Sequence, residues 1–291
     1  MTTIANPAPV AAPASKNRVL AKFLRNRSAV IGGAVVIFFI LVAIIGPFMP
    51  IADPIATDWG QVRKAPSAAN WFGTDEIGRD IFSRMIWGAS ASLQAGVISV
   101  FIAVLLGVPL GMLAGYFGGW IDVVISRFTD AMLAMPFLIL AIALAAFLGP
   151  SLTNAMIAIG LAAMPVFIRL TRGQVLSIKT EDYVDAARSL GLGDLRIMWR
   201  YILPNCFPPI LVQATLTIAT AIIAEASLSF LGLGQQPPLP SWGSMLATAK
   251  NFLTQAQHMA IYPGIAIFLV VMGFNLLGDG LRDAFDPRDD G

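Results

Sequence analysis

The chain has 291 residues, of which 57% are hydrophobic and only 12% are charged, and its formal net charge is +2. About a quarter of the residues of a soluble globular domain are charged, so this composition predicts a protein whose solvent is the lipid bilayer. The single cysteine, Cys206, excludes a disulfide framework, and the single histidine, His258, excludes histidine-rich zinc patterns. The chain lacks a GxxxxGKS or GxxxxGKT phosphate-binding loop, and we expect no bound cofactor and no metal.

The amino-terminal part of the chain divides into a tail and a first apolar run. Residues 1–27 have no charge before Lys16 and then carry five basic residues, which predicts a disordered, basic cytoplasmic tail. The uncharged run 28–52 is long enough to cross a bilayer and longer than the apolar core of a signal peptide. We therefore predict a retained first transmembrane helix.

Five further spans follow from the uncharged runs in chain order. One helix is expected at about 92–115, and the run 131–168 holds two spans separated by Gly149-Pro150-Ser151. The last two spans are expected at about 204–231 and 258–279. The sequence therefore predicts an all-α polytopic membrane protein with six transmembrane helices.

Prolines and glycines interrupt these spans at regular places. Each of three prolines should remove a backbone hydrogen bond from one of three successive helices and bend it: Pro109, Pro136 and Pro165. Glycines recur at every fourth position of the second span, which gives a face that another backbone can approach closely: Gly107, Gly111 and Gly115.

The basic residues set the predicted orientation. With the amino terminus inside, fourteen of the nineteen Lys and Arg residues fall on the cytoplasmic side and five on the outer side. Both termini are therefore predicted to be cytoplasmic, with the 53–84 and 232–257 loops outside. Asp130 and Glu225 then lie near the membrane edges, where we expect ordinary solvation rather than a proton relay.

Both outer loops are expected to hold local structure. Thr74 or Asp75 can cap an amphipathic helix along the outer membrane face before the second span. Its apolar stripe comprises Ile77, Ile81, Phe82, Met85 and Ile86. The 234–245 loop combines glycine, proline and Trp242, which predicts a rigid turn with an aromatic residue at the membrane interface.

The most informative stretch is the polar segment, residues 179–204, which holds four basic and four acidic residues between the fourth and fifth spans. Thr180 can cap a helix whose acidic first turn lies at its positive end, and Gly191 supplies a left-handed stop. Asp194 can cap a second short helix that leads into the fifth span. Helical spacing predicts one small apolar face: Tyr183, Ala186, Ala187 and Leu190. Alanines beside acids fit a groove on a protein better than a lipid surface.

The polar segment also carries a family resemblance. Asp185-Ala186-Ala187, followed by Gly191 and by YILP at 201–204, resembles the EAA loop of bacterial ABC importer permeases, whose pattern is Glu-Ala-Ala, Gly and Ile-x-Leu-Pro. The chain departs from it in Asp185 for glutamate and Tyr201 for isoleucine. In that family the loop forms a coupling helix that seats in a groove of the ATPase subunit. The resemblance implies ATPase coupling by Glu181, Asp182, Tyr183, Asp185, Ala186, Ala187, Leu190, Gly191, Leu203 and Pro204.

More of the chain resembles one branch of that family, the second (C-type) permease of dipeptide, oligopeptide and nickel importers. The matching segments are FLRNRS at 23–28, WFGTDEIGRDIFSR at 71–84, GYFGGW at 115–120, EASLSFLGLG at 225–234, QPP at 236–238 with SWGSM at 241–245, and NLLGDGLRD at 275–283 with DPR at 286–288.

The resemblance carries several expectations about partners and place. It implies a second homologous permease subunit, two cytoplasmic ATP-binding subunits and an external solute-binding protein, in a bacterial cytoplasmic membrane. The chain itself would not be an enzyme, because ATP hydrolysis belongs to the partner subunits. The expected divisions are a cytoplasmic tail at 1–27, a first helix with its external loop at 28–89, an importer core at 90–282 and a second tail at 283–291.

The expected function is translocation of dipeptides or oligopeptides by alternating access. Nickel or another small solute is an alternative substrate within the same branch. An ion-coupled secondary transporter is the rival class, but the predicted spans show neither midplane charges nor two related halves. A membrane enzyme would need an active site for which the residues are missing. The sequence assigns no residue to the substrate pathway.

Overall fold

The computed structural model describes residues 16–285, with side chains described from residue 21 onward. In this part of the chain regular structure is helical, apart from one isolated β-bridge between Thr74 and Asp80. The helices are α1 (Lys16–Arg25), α2 (Arg27–Ile45), α3 (Ile81–Phe117), α4 (Gly119–Leu133), α5 (Phe137–Leu148), α6 (Leu152–Ile178), α7 (Asp182–Ser189), α8 (Asp194–Ile197), α9 (Leu203–Phe230), α10 (Trp242–Ala249) and α11 (His258–Phe285). Of the predicted tails at 1–27 and 283–291, residues 1–15 and 286–291 lie outside the described residues. Within the first of them, residues 16–25 form helix α1, so the prediction of disorder is wrong for this part, and residues 283–285 are the end of α11.

Five helical stretches among the described residues are long and apolar enough to cross a membrane. They are α2 with its short 3-10 extension, α3, α6, the run 194–230 that contains α9, and α11. A sixth span results if α4 and α5, which meet at an angle of 93°, together cross once. The predicted all-helical membrane fold is therefore confirmed, and the break at Gly149-Pro150-Ser151 lies where the sequence places it.

The helices define two ends of the bundle. The polar-segment end carries residues 179–204, together with the beginning of α2 and the end of α3. The loop end carries residues 49–80 and 231–257, and also the beginning of α3. One apolar core cluster extends from α3, α5, α6 and α9 to the polar segment, and a second joins α2, α3, α9, α10 and α11.

The most extensive helix contact joins α3 to α6 through the predicted glycine face. A Cβ atom added at Gly107 would lie 2.8 Å from the carbonyl oxygen of Met164, and one at Gly111 would lie 2.6 Å from that of Ile168. One added at Gly115 would lie 2.8 Å from Cβ of Val175. Because these neighbours include main-chain atoms, only glycine allows the two helices to approach this closely.

Small residues also bring α2 against α11. A Cβ atom added at Gly32 would lie 2.7 Å from the carbonyl oxygen of Gly273. At the polar-segment end, the Asn26 side chain caps the first turn of α2 and donates a 2.9 Å hydrogen bond to Asp283 near the end of α11. The two helices are thereby fixed to each other along their length.

Pro109 and Pro165 lie inside helices, as predicted, but Pro136 does not. Pro136 stands in the break between α4 and α5, immediately before the first residue of α5. Proline disfavours the helical conformation of the residue before it and donates no hydrogen bond, so α4 ends and the chain turns by 93°. The predicted bent third span is instead two short helices.

Two ion pairs hold α4 against α6. Arg172 donates two hydrogen bonds to the carboxylate of Asp122, at 2.5 and 2.7 Å, and Arg169 donates one to Asp130 at 2.8 Å. The Asp130 carboxylate remains 56% exposed. The paired geometry of Arg172 is the stronger and more directional of the two contacts, so it sets the position of α4 on the bundle.

The loop end differs from the prediction of an amphipathic helix capped by Thr74 or Asp75. Residues 74–80 form a tight turn closed by the Thr74–Asp80 bridge, and α3 begins at Ile81 with Asp80 as its N-cap. The stripe residues of α3 therefore extend the second span toward the loop end, so that helix begins well before residue 92. Glycines at 73 and 78 with positive φ turn the chain where a helix would have continued.

A buried ion network explains why this turn is stable. The Asp75 carboxylate accepts hydrogen bonds from the main chain and the side chain of Arg79, the latter at 2.6 Å, and lies 3.4 Å from the guanidinium of Arg84. Arg84 also donates to the carbonyl oxygens of Pro54 and Pro238, at 2.8 and 3.3 Å. The charged residues of the WFGTDEIGRDIFSR segment thus join the 53–84 and 232–257 loops to α3.

Glu76, at the edge of this network, makes the loop end sensitive to pH. Burial, and then the nearby charge of Asp75, raises the pKa of Glu76 above its usual value of 4.5, and one carboxylate oxygen has no hydrogen-bond partner among the described residues. An acid with a raised pKa stabilises the fold below about pH 4.5, and this contribution is lost as the pH rises through the raised pKa.

Glu76→Gln is therefore expected to raise the unfolding temperature of the purified subunit at pH 7, by an amount that shrinks as the pH falls toward 4.5. Thermal unfolding in detergent across this pH range measures the effect. Glu181→Gln, the same change at an exposed position, is the control and should leave the unfolding temperature at pH 7 unchanged. A lower unfolding temperature for Glu76→Gln at pH 7 would mean that its 2.6 Å ion pair with Arg79 outweighs burial.

Trp242 was predicted to lie at the membrane interface, but it is buried. It is the first residue of α10, packs edge-on against Phe39 at 5.5 Å, and donates its indole N–H to the carbonyl oxygen of Met85 at 3.0 Å. Only 1% of Trp242 is exposed. The 232–257 loop therefore folds back, and α10 packs against α3, α9 and α11 at the loop end.

Glu225 was predicted to be solvated near the membrane edge, and this is also wrong. Its side chain is completely buried in α9, one helical turn before Ser229, and accepts a 2.7 Å hydrogen bond from that hydroxyl. Distance along the helix placed Glu225 at the correct end of the bundle. It could not show that α3 and α10 cover this position.

Candidate functional site

The polar segment forms the short helix α7 at the end of α6. Glu181 occupies the N-cap position without a side-chain capping bond, and Asp182 and Asp185 lie in the first turn, where carboxylates favour the positive end of the helix. The predicted cap by Thr180 is wrong, because its hydroxyl donates to the carbonyl oxygen of Ser177 in the preceding helix. The helix nevertheless starts within two residues of the predicted position.

The end of α7 follows the prediction. Gly191 has φ +77°, in the left-handed region, and its N–H donates to the carbonyl oxygen of Arg188 at 2.8 Å. The N–H of Leu192 donates to the carbonyl oxygen of Ala187 at 3.2 Å. These two bonds form a Schellman motif, in which glycine satisfies the last carbonyl groups of the helix and reverses the chain.

The two faces of α7 have different environments. Val184 and Ala187 are buried in the core cluster that includes α3 and α6, whereas Ala186, Tyr183 and Leu190 are exposed. The prediction that Ala187 shares a face with Tyr183, Ala186 and Leu190 is therefore wrong, because Ala187 lies on the buried face with Val184. A charge at Ala187 would disturb the packing of α7 before it affected any partner.

Polar contacts also attach the segment to the end of α3. The Tyr116 hydroxyl donates to Asp194 at 2.7 Å, and the guanidinium of Arg188 lies over the Tyr116 ring at 5.5 Å. The ammonium of Lys179 donates to the carbonyl oxygen of Gly115 at 2.8 Å. A displacement of α7 therefore acts on α3 as well as on α6, its chain neighbour.

On the other side, the segment continues into α9. After α8 the chain makes one π-helical turn, Met198–Ile202, and α9 starts with Leu203 and Pro204. Proline in the first turn costs no hydrogen bond, because the first N–H groups of a helix have no partner within it. Ile202 is completely buried, so the start of α9 is held by the core.

Tyr183 links α7 to this start of α9. Its hydroxyl accepts a hydrogen bond from the side chain of Asn205 at 3.2 Å. Partial burial, and then the nearby carboxylate of Glu181, raises the pKa of Tyr183 above its usual value of 10.0, so the phenol stays neutral under ordinary conditions. The other predicted coupling residues, Leu203 and Pro204, are partly buried and exposed, respectively.

Two exposed apolar residues of the segment were not among the predicted ones. Leu195 is 68% exposed and Trp199 is 60% exposed, and both lie at the polar-segment end with Leu190, which is 81% exposed. The signal that could have identified them is their i, i+4 spacing across α8, which places both on one helical face. Exposed large apolar residues grouped among charges are typical of a protein contact surface.

A groove opens beside the polar segment, between α6, α9 and α11. Its volume is about 410 Å³. It is lined by Leu170, Pro208, Pro209, Val212, Gln213, Leu216, Arg282 and Phe285. The lining is mostly apolar with one amide and one guanidinium, which is the usual composition of a small-molecule site.

Two models of known protein families match this chain. Residues 107–289 match the family described as binding-protein-dependent transport system inner membrane component. Residues 17–66 match the N-terminal TM domain of oligopeptide transport permease C. The first match covers α4 to α11 and the second covers α2 with the start of the first outer loop, so the two together account for most of the bundle.

Curated relatives are similar over almost the whole chain. The dipeptide transport system permease protein DppC of Alkalihalophilus pseudofirmus is 48% identical over 91% of this chain and 87% of its own length. The glutathione transport system permease protein GsiD of Pectobacterium atrosepticum is 45% identical over 92% of this chain and 89% of its own length. That of Escherichia coli O157:H7 is 46% identical over 92% and 88%.

Solved structures support the fold. Two crystal forms of the MetNI methionine ABC transporter in inward-facing conformations match with TM-scores of 0.56 and 0.58, at 20% sequence identity. Each match covers 71% of this chain and at least 97% of the other. The chain thus belongs to the binding-protein-dependent transport system inner membrane components, as a multi-pass, C-type permease subunit of the peptide and nickel branch in the bacterial cytoplasmic membrane.

Proposed function

We propose that this chain is the translocating subunit of an ATP-driven importer that carries short peptides across the cytoplasmic membrane. It would work with a second homologous permease, two cytoplasmic ATP-binding subunits and an external solute-binding protein. The names of the relatives, dipeptide and glutathione permeases, support a peptide as the substrate class. ATP hydrolysis is assigned to the partner subunits.

The observation that carries this proposal is the exposed face of the polar segment. Leu190, Leu195 and Trp199 are exposed in the same segment as the carboxylates of Asp182 and Asp185. Large apolar side chains that remain exposed among charges are typical of a surface that binds another protein. We assign this face to the groove of an ATP-binding subunit. The face includes the predicted residues Glu181, Tyr183, Ala186, Gly191 and Pro204, whereas Ala187 and Leu203 support it from inside.

The contacts of the segment suggest how its movement reaches the membrane spans. Lys179 and Asp194 attach it to the end of α3, and the π-helical turn Met198–Ile202 joins it rigidly to α9. When the ATP-binding subunits close, they would push α7, and α3, α6 and α9 would rotate with it. This rotation would open the bundle toward the loop end for substrate and, after hydrolysis, toward the cytoplasm.

The groove between α6, α9 and α11 is the candidate for the inner part of the substrate pathway. Its volume of about 410 Å³ is large enough for a small peptide, and its wall belongs to the helices that the segment moves. Gln213 could hydrogen-bond a peptide group and Arg282 could bind a carboxylate, while the apolar wall would accept varied side chains. A second permease would close the open side.

Site-directed cross-linking tests the docking role directly. In a Cys206→Ala background, Ala186→Cys in the assembled transporter is expected to form a specific cross-link with an ATP-binding subunit and none with the external binding protein. Gln236→Cys, which is exposed at the loop end, should give the opposite result. Cross-linking of Ala186→Cys to no cytoplasmic subunit would refute the proposal.

Uptake measurements test the substrate class and the energy source. Cells with the intact system are expected to take up labelled dipeptide in competition with unlabelled dipeptide, and depletion of ATP should stop this uptake. Uptake that survives ATP depletion but stops when the proton gradient collapses would indicate a secondary transporter. Competition by nickel rather than by peptide would mean that the proposed substrate is wrong, whereas the proposed importer mechanism would still hold.

A further inference from the structure

The buried Glu225 is a functional group that neither the docking face nor the groove uses. It lies in α9 near the loop end, and its side chain has no exposed surface. Among the described residues, its hydrogen-bond partners are serine hydroxyls, and no lysine, arginine or histidine bonds to it. Burying an acid costs free energy unless it is hydrogen-bonded, so the hydrogen bonds of Glu225 indicate what it does at this position.

Each carboxylate oxygen of Glu225 accepts a hydrogen bond from a different serine. Ser229, on the same helix, donates at 2.7 Å, and Ser92 of α3 donates at 3.4 Å. The first bond is short and the second is long for a hydrogen bond between oxygen atoms. The carboxylate thus joins α9 to α3 through the two hydroxyl groups.

Both serine oxygens accept a main-chain N–H in turn. The N–H of Gln235 donates to Ser229 at 3.2 Å, and that of Trp242 donates to Ser92 at 3.1 Å. These two residues bracket the 235–242 loop, which makes up most of the connection between the end of α9 at Phe230 and the start of α10. One buried carboxylate therefore fixes both ends of a loop whose middle is exposed at Gln236 and Leu239. We name Glu225, Ser92 and Ser229 the Glu225 latch.

Other contacts limit where the loop can move once the latch is in place. Arg84, which belongs to the buried ion network of the first outer loop, donates to the carbonyl oxygen of Pro238 at 3.3 Å. The hydroxyl groups of Ser229 and Ser241 lie 3.4 Å apart. The loop is thus held at its start, middle and end by groups on α3 and α9, which are the helices that the polar segment contacts at the other end.

We propose that Glu225 is a positioning residue that holds the 235–242 loop in the shape to which the external solute-binding protein docks. The inference rests on the proposed function, because it assumes that such a protein delivers substrate to this end of the bundle. Glu225 is buried, so it would affect binding of this partner only through the shape of the loop. Loss of the carboxylate would loosen the loop without altering the docking face for the ATP-binding subunits.

The experiment uses the assembled transporter in proteoliposomes, with its purified external binding protein loaded with dialanine. Glu225→Leu fills a similar volume without accepting hydrogen bonds. It is expected to raise the half-saturating concentration of the loaded binding protein for ATPase stimulation about tenfold, the factor that the loss of one or two hydrogen bonds represents. The maximal stimulated rate and the rate without binding protein should stay unchanged.

Two variants separate positioning from general destabilisation. Glu225→Gln keeps the size of the side chain, and its amide oxygen and N–H₂ can bond both serine hydroxyls, so it is expected to restore the wild-type half-saturating concentration. Ser227→Ala changes an exposed serine on the same helix and should have no effect. If Glu225→Gln is as impaired as Glu225→Leu, the positioning role is refuted.

Hydrogen exchange of the peptide covering residues 231–245 measures the latch itself. The amides of Gln235 and Trp242 should exchange about tenfold faster in Glu225→Leu than in Ser227→Ala. Unchanged exchange would overturn the latch, and faster exchange with unchanged half-saturation would overturn its link to docking. If the binding protein does not stimulate the ATPase activity of the wild-type complex, the proposed function and the docking role are both overturned. The hydrogen-exchange result would still show whether Glu225 holds the loop.

Discussion

Leu190→Glu is expected to abolish stable association of the permease with its ATP-binding subunits and, with it, ATP-driven uptake. Leu190 is 81% exposed at the end of α7, so the isolated subunit should tolerate the charge. In the proposed docked state the same side chain is buried in a protein groove. Introducing a charge at such an anchor costs at least about 2 kcal/mol, which weakens association roughly 30-fold.

Co-purification of the ATP-binding subunits with the tagged permease measures this effect, and uptake in the same cells measures its consequence. Leu253→Glu is the matched control, because it places the same charge on an exposed leucine at the loop end. Equal amounts of both variants should reach the membrane. Normal co-purification with Leu190→Glu would show that the exposed face of α7 does not dock the ATP-binding subunits.

Gly111→Ala is expected to destabilise the subunit, whereas Gly173→Ala should leave its stability unchanged or improve it. A Cβ atom at Gly111 would lie 2.6 Å from the carbonyl oxygen of Ile168 and 2.8 Å from Cβ of Thr171, so α3 and α6 would have to separate. Such overpacking costs about 1–3 kcal/mol. A Cβ atom added at Gly173 would have no heavy atom within 4 Å apart from the backbone of its own helix, and alanine favours the helix by up to about 1 kcal/mol.

The two variants can be compared directly, because each adds one methyl group to one of two helices that pack against each other. Thermal unfolding of the two purified variants in detergent, beside the wild type, measures the opposite effects. The amount of each variant in the membrane should follow the same order. Equal unfolding temperatures for Gly111→Ala and the wild type would mean that the α3–α6 contact relaxes without cost, contrary to a contact between main chains.

Local signals in the sequence were sufficient for the elements whose causes are local. The uncharged runs placed α9 and the beginnings of α6 and α11 close to their observed positions, because length and hydropathy alone decide whether a helix can cross a bilayer. Gly191 was identified as a left-handed stop because only glycine adopts that conformation without strain. The glycine repeat likewise predicted which face of α3 meets another helix.

The site was only partly predictable for the same reason. The position, capping glycine and acidic first turn of α7 follow from residues within one short segment. Which of its apolar residues are exposed depends on where α3 and α6 lie, and periodicity alone placed Ala187 on the wrong face. Leu195 and Trp199 were missed because an apolar residue in a short helix gives no indication of whether it is buried.

The sequence by itself determined most of the spans, the charged segment between the fourth and fifth of them, and the family, because each of these depends on neighbours along the chain. Only the tertiary structure decided the surroundings of Trp242, Pro136 and Glu225. Ser92 lies 133 positions from Glu225, and Trp242 lies 150 positions from Ser92. Folding brings such groups together, and burial then changes a solvated acid into the centre of a hydrogen-bond network.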